Sequence, residues 1–456
     1  MKTNTKTKPT PIFNHEGTRV VKLNPAQELR RAVLATFLFE DGFYENGQAL
    51  TERIASLIPL VKPEEVAAIA IQARNEYKLR HIPLFIAREM VRHNTHKHLV
   101  SYVLENIIQR ADELSELLAI YWKSGRTPIA NQLKKGLAKA FTRFSEYDLA
   151  KYNRDSDIKL RDVLFLVHPR PLNQEQEVLW KKLAEDKLET PYTWEVELSA
   201  SKGENKKAVW EKLLNKKALG GLAFLRNLRN LKEVGVERNV IRNYFEVANF
   251  GKVLPFRFIA AAKYAPEFEP ELEKAMLGCL NTFDKLKGKT ALIIDTSPSM
   301  WQAKVSAKSE MDRFEAAAAL AILARGICDD VDIYAFNNKS YVIPPRNGFA
   351  LRDALAKTQA GYSCGGLAVA EANKNGYDRI IVLTDGEWHS SANQYETGWR
   401  SGDAKLISPA PLTGKAYMIN VANTKNGIGY GKWNSIDGFS EAVISYIQEL
   451  ENSNLN

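Results

Sequence analysis

The stretch that most constrains this chain is Ala291-Leu292-Ile293-Ile294-Asp295-Thr296-Ser297-Pro298-Ser299-Met300. Four apolar residues run into an acid, and two hydroxyls follow at alternate positions. An unbroken apolar run of this length predicts a strand buried on both faces, as in a parallel sheet. Asp295, Ser297 and Ser299 then fall on the loop beyond its carboxyl end, where open α/β sheets hold their ligands. One carboxylate and two hydroxyls are hard oxygen donors. They suit Mg²⁺, with Mn²⁺ or Ca²⁺ as alternatives, and argue against zinc. Taken alone, the decapeptide fits equally well a helix cap and a turn.

The rest of the chain supplies context. At 456 residues it has room for about two or three domains. Residues 1–24 read as a polar arm. From Pro25 to about Leu286 apolar residues recur at three-to-four spacing, with Gly, Pro or Asn in many of the gaps. Helices are expected over 25–34, 50–60, 63–79, 83–93 and 99–110, and again over 113–123, 131–144, 160–167, 174–187, 206–218, 222–234 and 238–250. Short consecutive helices without strands suggest stacked pairs, an α-solenoid of the HEAT type. After Lys285 strand-like runs at 291–294, 331–336, 380–383 and 416–421 alternate with helical stretches at 314–328, 367–375 and 440–450. That alternation implies a doubly wound, largely parallel sheet. The expected division is therefore a helical module over 1–285 and an α/β domain over 286–456.

Within the α/β part, Ile380-Ile381-Val382-Leu383-Thr384-Asp385-Gly386 is a second buried strand ending in an acid. In a parallel sheet Asp385 emerges at the same edge as Asp295. Gly361-Tyr362-Ser363-Cys364-Gly365-Gly366, at a loop-to-helix junction, adds a hydroxyl. Two carboxylates and three hydroxyls can converge on one cation, with water or a partner's carboxylate completing about six oxygens. Gly361–Gly365 also satisfies G-x-S-x-G, but a nucleophile elbow must follow a strand, and 351–358 reads as helix. Gly288-Lys289-Thr290 lacks the first glycine of a phosphate loop and precedes a strand where a helix is required. His93, His96 and His98 have no fourth ligand nearby and read as a basic surface cluster rather than a metal site.

Charge divides the chain unevenly. Residues 1–285 carry 46 Lys and Arg against 36 Asp and Glu, a net of +10, whereas residues 286–456 carry 17 against 18, a net of −1. The basic excess points to a polyanion partner for the first part. Arg74, Lys78, Arg80, His81 and Arg88 surround the apolar Ile82–Phe85. Arg226, Arg229 and Asn230 share one face of a helix, since residues three and four apart are neighbours. Arg257 and Lys263 follow. Guanidinium groups on rigid helices suit phosphate contacts, although solvated or salt-bridged faces are the plain alternative. Three distant cysteines make no disulfide framework. Met1–Thr10 has no apolar core like that of a signal peptide, and no run is long enough to span a bilayer, so a cytoplasmic protein is expected.

Two family resemblances emerge from these phrases. Asp295-x-Ser297-x-Ser299, Ser363 and Thr384-Asp385-Gly386 resemble the metal-ion-dependent adhesion site of von Willebrand factor A domains. That family usually has Thr at the middle position, where this chain has Ser363. In the first part, Glu40-Asp41-Gly42-Phe43-Tyr44-Glu45-Asn46-Gly47, Arg80-His81-Ile82-Pro83-Leu84-Phe85, Phe224-Leu225-Arg226-Asn227-Leu228-Arg229-Asn230 and Leu254-Pro255-Phe256-Arg257-Phe258 resemble the TROVE module of Ro autoantigen proteins. TROVE followed by a von Willebrand A domain is the Ro architecture, and the resemblance covers nearly the whole chain.

The resemblance implies a ring of HEAT-like repeats whose basic hole takes single-stranded 3′ ends of misfolded RNAs. It also implies an outer surface for small noncoding Y RNAs, and cooperation with an exoribonuclease such as polynucleotide phosphorylase. The Y RNA motif is similar to residues 160–170 and carries over onto Arg161, His168 and Arg170, with Phe165 where a basic residue is expected. A noncatalytic, monomeric protein of RNA stabilisation and quality control follows from the resemblance. The alternative is a metal-dependent scaffold whose adhesion site grips an acidic partner.

Overall fold

The computed structural model describes residues 12–13, 19–34, 47–153, 155–201, 205–251, 253–281, 283–305, 310–359, 361, 363–386, 411–422, 428–429, 432–438 and 441–452. The chain forms two compact units. One is Thr51–Asn249; the other joins Met1–Leu50 to Phe250–Asn456. The change from helix to sheet falls near residue 285, whereas compactness divides the chain elsewhere. The phrase Glu40–Asn46 lies outside the described residues.

The unit Thr51–Asn249 contains helices and no strand among its described residues. Local chemistry sets their ends. Pro63 opens Pro63–Asn75 at a position where its missing N–H costs nothing. Ser145 and Asp148 form a reciprocal capping box at the start of Glu146–Tyr152, and Asn173 caps Gln174–Ala184. Alternate helices stack. Val100–Ile107 packs on both Pro63–Asn75 and Asn131–Phe141, and His81–Arg92 packs on Asp112–Tyr121. Gly136 lets Asn131–Phe141 approach Val100–Ile107 closely, because a Cβ there would stand 2.7 Å from the Leu104 side chain. Leu133, Leu137, Ala140 and Phe141 are buried along the apolar stripe of Asn131–Phe141, with Phe141 edge-on to Trp180.

In the other unit the core is a six-stranded sheet. Its strands are β1 (Leu286–Asp295), β2 (Cys328–Phe336), β3 (Ser340–Ile343), β4 (Arg379–Thr384), β5 (Lys415–Asn420) and β6 (Asn434–Asp437). They lie in the order β3-β2-β1-β4-β5-β6, all parallel except the β2–β3 hairpin. This is the doubly wound order whose direction reverses beside β1, leaving a crevice at the carboxyl ends of β1 and β4. Residues 291–294 and 380–383 are fully or almost fully buried, as the continuous apolar runs require.

Helix Arg313–Ile327 is buried along nearly its whole length because other helices cover the side turned away from the sheet. Pro255–Tyr264 and Glu269–Leu280 pack on it, so these two helices belong with the sheet and not with the helices before them. Phe349 N donates to Glu273 Oε1 at 2.9 Å within the same packing. Within the expected polar arm, Arg19–Lys22 pairs antiparallel with Ile12–Phe13 and with Ile428–Gly429. Pro25–Leu34 packs on β6, where Arg31 meets the buried Asp437 at 2.8 Å. No helix among the described residues is long and apolar enough to cross a membrane.

Candidate metal centre and nucleic-acid interface

Register brings the two acids together. Asp295 ends β1 opposite Phe336 of β2, Ile294 lies beside Leu383 of β4, and Asp385 directly follows the last residue of that strand. Asp295 and Asp385 are both completely buried. Asp295 Oδ1 accepts from Ser297 N at 2.9 Å. Its Oδ2 accepts from Ser363 Oγ at 3.0 Å and from Thr384 Oγ1 at 2.9 Å. Ser297 Oγ and Ser299 Oγ are 3.3 Å apart. Burial first, and the negative charge of Asp385 second, push the Asp295 carboxyl up to about 7.

Ser363 reaches this point because the preceding loop turns sharply against β2. Gly361 has φ +70°, and a Cβ there would fall 2.5 Å from Asn338 Oδ1. Cys364 N then donates to Asn337 O at 2.9 Å. The segment before this loop is helix Gly348–Ala356 and the one after it is helix Gly365–Asn373. A helix thus stands where a nucleophile elbow needs a strand, and Ser363 donates to an aspartate carboxylate rather than to a histidine.

Thr384, part of the Thr384-Asp385-Gly386 phrase of the motif, donates to Asp295. One participant escaped sequence reasoning. Arg313 donates from Nη1 to Asp385 Oδ2 at 2.9 Å, with its side chain 1 % exposed and that of Asp385 0 %. A capping box fixes where this helix starts. Asp312 accepts from Glu315 N at 2.7 Å, and Glu315 accepts from Asp312 N at 3.1 Å, which makes Arg313 its first residue. The available signal was an arginine at the head of an alanine-rich helix whose other charges are Glu315 and Arg325.

The donor set fits a hard divalent cation. Hydroxyls gather on one buried carboxylate beside a second, and no sulfur or imidazole is among them. Among the described residues no group of three His, Cys, Asp or Glu could hold a metal, which leaves this mixed carboxylate–hydroxyl set as the candidate. His96 is not part of a surface cluster. It is 2 % exposed, with Nε2 3.1 Å from Val61 O and Nδ1 2.9 Å from Thr95 Oγ1.

The basic residues do not all face solvent. Arg74 is buried, donating from Nε to Ile107 O at 2.9 Å and from Nη2 to Glu113 Oε1 at 2.6 Å. Arg88 is buried between Glu89 and Ser124, and burial lowers its pKa. Arg80 joins Asp112 at 2.7 Å and also pairs with Glu116. The exposed His81 lies 3.7 Å from the same Glu116. Lys78 is exposed with φ 56° and bonds to Asn75 O. Arg74 and Arg88 thus hold helices together instead of meeting phosphate, because each guanidinium is enclosed and already paired.

Other predicted contacts remain on the outside. Arg226, Arg229 and Asn230 are exposed on Gly221–Glu233, whose apolar side buries Phe224, Leu228 and Leu231. Arg229 pairs with Glu233 at 2.8 Å, and Arg226 has no ion pair among the described residues. His168 and Arg170 are exposed just beyond Leu160–Val167, His168 at φ 48° ending the helix. Arg161 is half-buried, 3.4 Å from Asp186, and Phe165 one turn on is 57 % exposed. Arg257 and Lys263 belong to the sheet's own unit. Arg257 lies over the Phe256 ring, and Lys263 pairs with Glu315 at 2.7 Å.

Comparison with known proteins gives two likenesses. Residues 184–321 match the TROVE domain family. The match starts in the helical unit and runs through β1 into helix Arg313–Ile327. The fold resembles the crystal structure of the Ro (RSR) protein of Deinococcus radiodurans. That likeness has a TM-score of 0.61 at 16 % identity and covers 93 % of this chain and 99 % of the other. No match is found among curated proteins. The chain thus carries a TROVE-family match over 184–321 and shares the fold of a Ro protein.

Proposed function

We propose that this chain is a Ro-type RNA-binding protein that carries out no catalysis of its own. It takes Y-like noncoding RNA on an outer surface and single-stranded 3′ ends of misfolded RNA in a basic ring. These activities stabilise small RNAs and present defective ones for quality control, with an exoribonuclease such as polynucleotide phosphorylase as partner. The observation that carries this reading is the TROVE match over 184–321 in a segment that includes the exposed Arg226 and Arg229. The +10 excess before residue 286 supports it. Such a surface recognises backbone and strandedness, so affinity falls steeply with salt. Structured RNA outside the ring is recognised largely by shape.

Asp295, Ser297, Ser299, Ser363 and Asp385 would hold a divalent cation, Mg²⁺ first. A cation held there would supply positive charge that attracts an acidic group. The cation site belongs to the segment without basic excess, which favours a protein partner there over RNA. Titration of hairpin RNAs with and without a single-stranded 3′ tail, at two salt concentrations, tests the RNA reading. Tighter, salt-sensitive binding of the tailed RNA is expected; equal, salt-insensitive binding overturns it.

A further inference from the structure

A buried arginine on the second acid of a cation site changes what that site can do. Arg313 and Asp385 are both withdrawn from solvent, and their 2.9 Å approach is a charge-assisted hydrogen bond. Asp385 directly follows β4, so it cannot move far. Arg313 is equally constrained, as the first residue of a helix buried along its length and fixed by its capping box. Two carboxylates within one buried cluster repel, and a single guanidinium offsets half of their charge. A divalent ion offsets all of it. Guanidinium and ion therefore compete for the same negative charge.

We propose that Arg313 is a built-in rival of the divalent cation at Asp385, lowering the site's metal affinity and freeing the fold from dependence on metal. The proposal rests on reading Asp295, Ser297, Ser299, Ser363 and Asp385 as the cation site. With Arg313 in place, a bound divalent ion leaves the cluster with one positive charge in excess. An incoming carboxylate neutralises that charge, so an acidic partner and the ion reinforce each other. Without Arg313, the two carboxylates match one divalent ion and need no third acid. Arg313 therefore determines both how tightly the ion is held and how strongly the loaded site attracts an acid.

Calorimetry with MnCl₂ and thermal unfolding with and without Mn²⁺ test this on the full chain, its Arg313→Met and Arg313→Gln variants, and Asp295→Ala. Arg313→Met is expected to bind Mn²⁺ at least about tenfold more tightly than the parent, a difference of one decade in Kd. Its melting temperature should drop without metal and recover with it, while the parent's moves little. Arg313→Gln keeps a donor toward Asp385 without the charge and gives the same readout if Arg313→Met does not fold. Parent binding that disappears in Asp295→Ala, with no tightening in either Arg313 variant, overturns the rivalry and leaves the cation site standing. No uptake by any protein, or uptake unchanged by Asp295→Ala, overturns the cation site and the rivalry together. Failure of both variants to fold in excess Mn²⁺ also overturns it, since the ion should replace the missing charge.

Discussion

Arg313 and Asp385 lie 72 residues apart in sequence and 2.9 Å apart in the fold, both closed off from water. Their pairing joins the head of one helix to the carboxyl end of β4. The acid that the motif supplies for a cation is thereby already paired with a cation from the chain. In low dielectric such a pair is held strongly, and removing one partner costs more than the pair itself contributes.

Asp295→Ala should abolish divalent-ion uptake. It removes the carboxylate on which Ser297, Ser363 and Thr384 converge. Binding of Y-like RNA should remain within a few-fold of the parent, because the exposed basic helix faces are untouched. Calorimetry with Mg²⁺ and Mn²⁺, paired with an RNA titration, checks both halves; unchanged ion uptake refutes the assignment.

Arg226→Ala and Arg229→Ala should weaken RNA binding to a similar degree across sequences. Removing one phosphate-binding arginine should lower the slope of log affinity against log salt by about 1. The Arg229–Glu233 pair is exposed, so it competes little with a phosphate. Filter binding over a salt series measures the slope, and an unchanged slope in the double variant excludes this face from the interface.

Arg74→Ala should behave differently. Its partner Glu113 is buried and would be left without its closest cation, a destabilisation of about 3–5 kcal/mol. Urea unfolding should show this as a lower midpoint, while folded protein at low temperature keeps its RNA affinity. A variant with parental stability and weakened RNA binding would return Arg74 to the interface.

The cap of the Arg313 helix should respond to pH. Burial, reinforced by the nearby Glu315 charge, pushes Asp312 up to about 6, against the opposing pull of Lys263 and the N–H donors of the helix start. A raised folded-state pKa favours the folded protein while the group is protonated. That contribution is full below the ordinary value of 3.8 and is lost as pH rises through about 6. Asn keeps the cap and cannot ionise. The stability of Asp312→Asn relative to the parent should therefore rise between pH 4 and pH 7, read from urea unfolding at both values; a constant difference contradicts the shift.

Much of the geometry of the candidate cation site was legible in the sequence. An apolar run into Asp295-x-Ser297-x-Ser299, and another into Thr384-Asp385, determine two buried strands whose acids share one edge. Hydrophobic period and chain direction are local properties, and so is the chemistry of the donors. Most helices before residue 250 were legible for the same reason, through their three-to-four spacing, whereas the short Glu146–Tyr152 and Trp194–Ala200 were not.

Tertiary structure decided which charges reach solvent. Arg74 and Arg88 look the same in sequence as Arg226 and Arg229, yet the first two are enclosed by neighbouring helices and the other two face solvent. Packing also assigned Pro25–Leu34, Pro255–Tyr264 and Glu269–Leu280 to the sheet rather than to the helices they follow or precede. It brought Arg313 onto Asp385. The physical reason is the same in each case. A residue's period and type fix the element it joins, whereas its burial and its partners depend on which distant element packs against it, and that information is not carried by its neighbours in the chain.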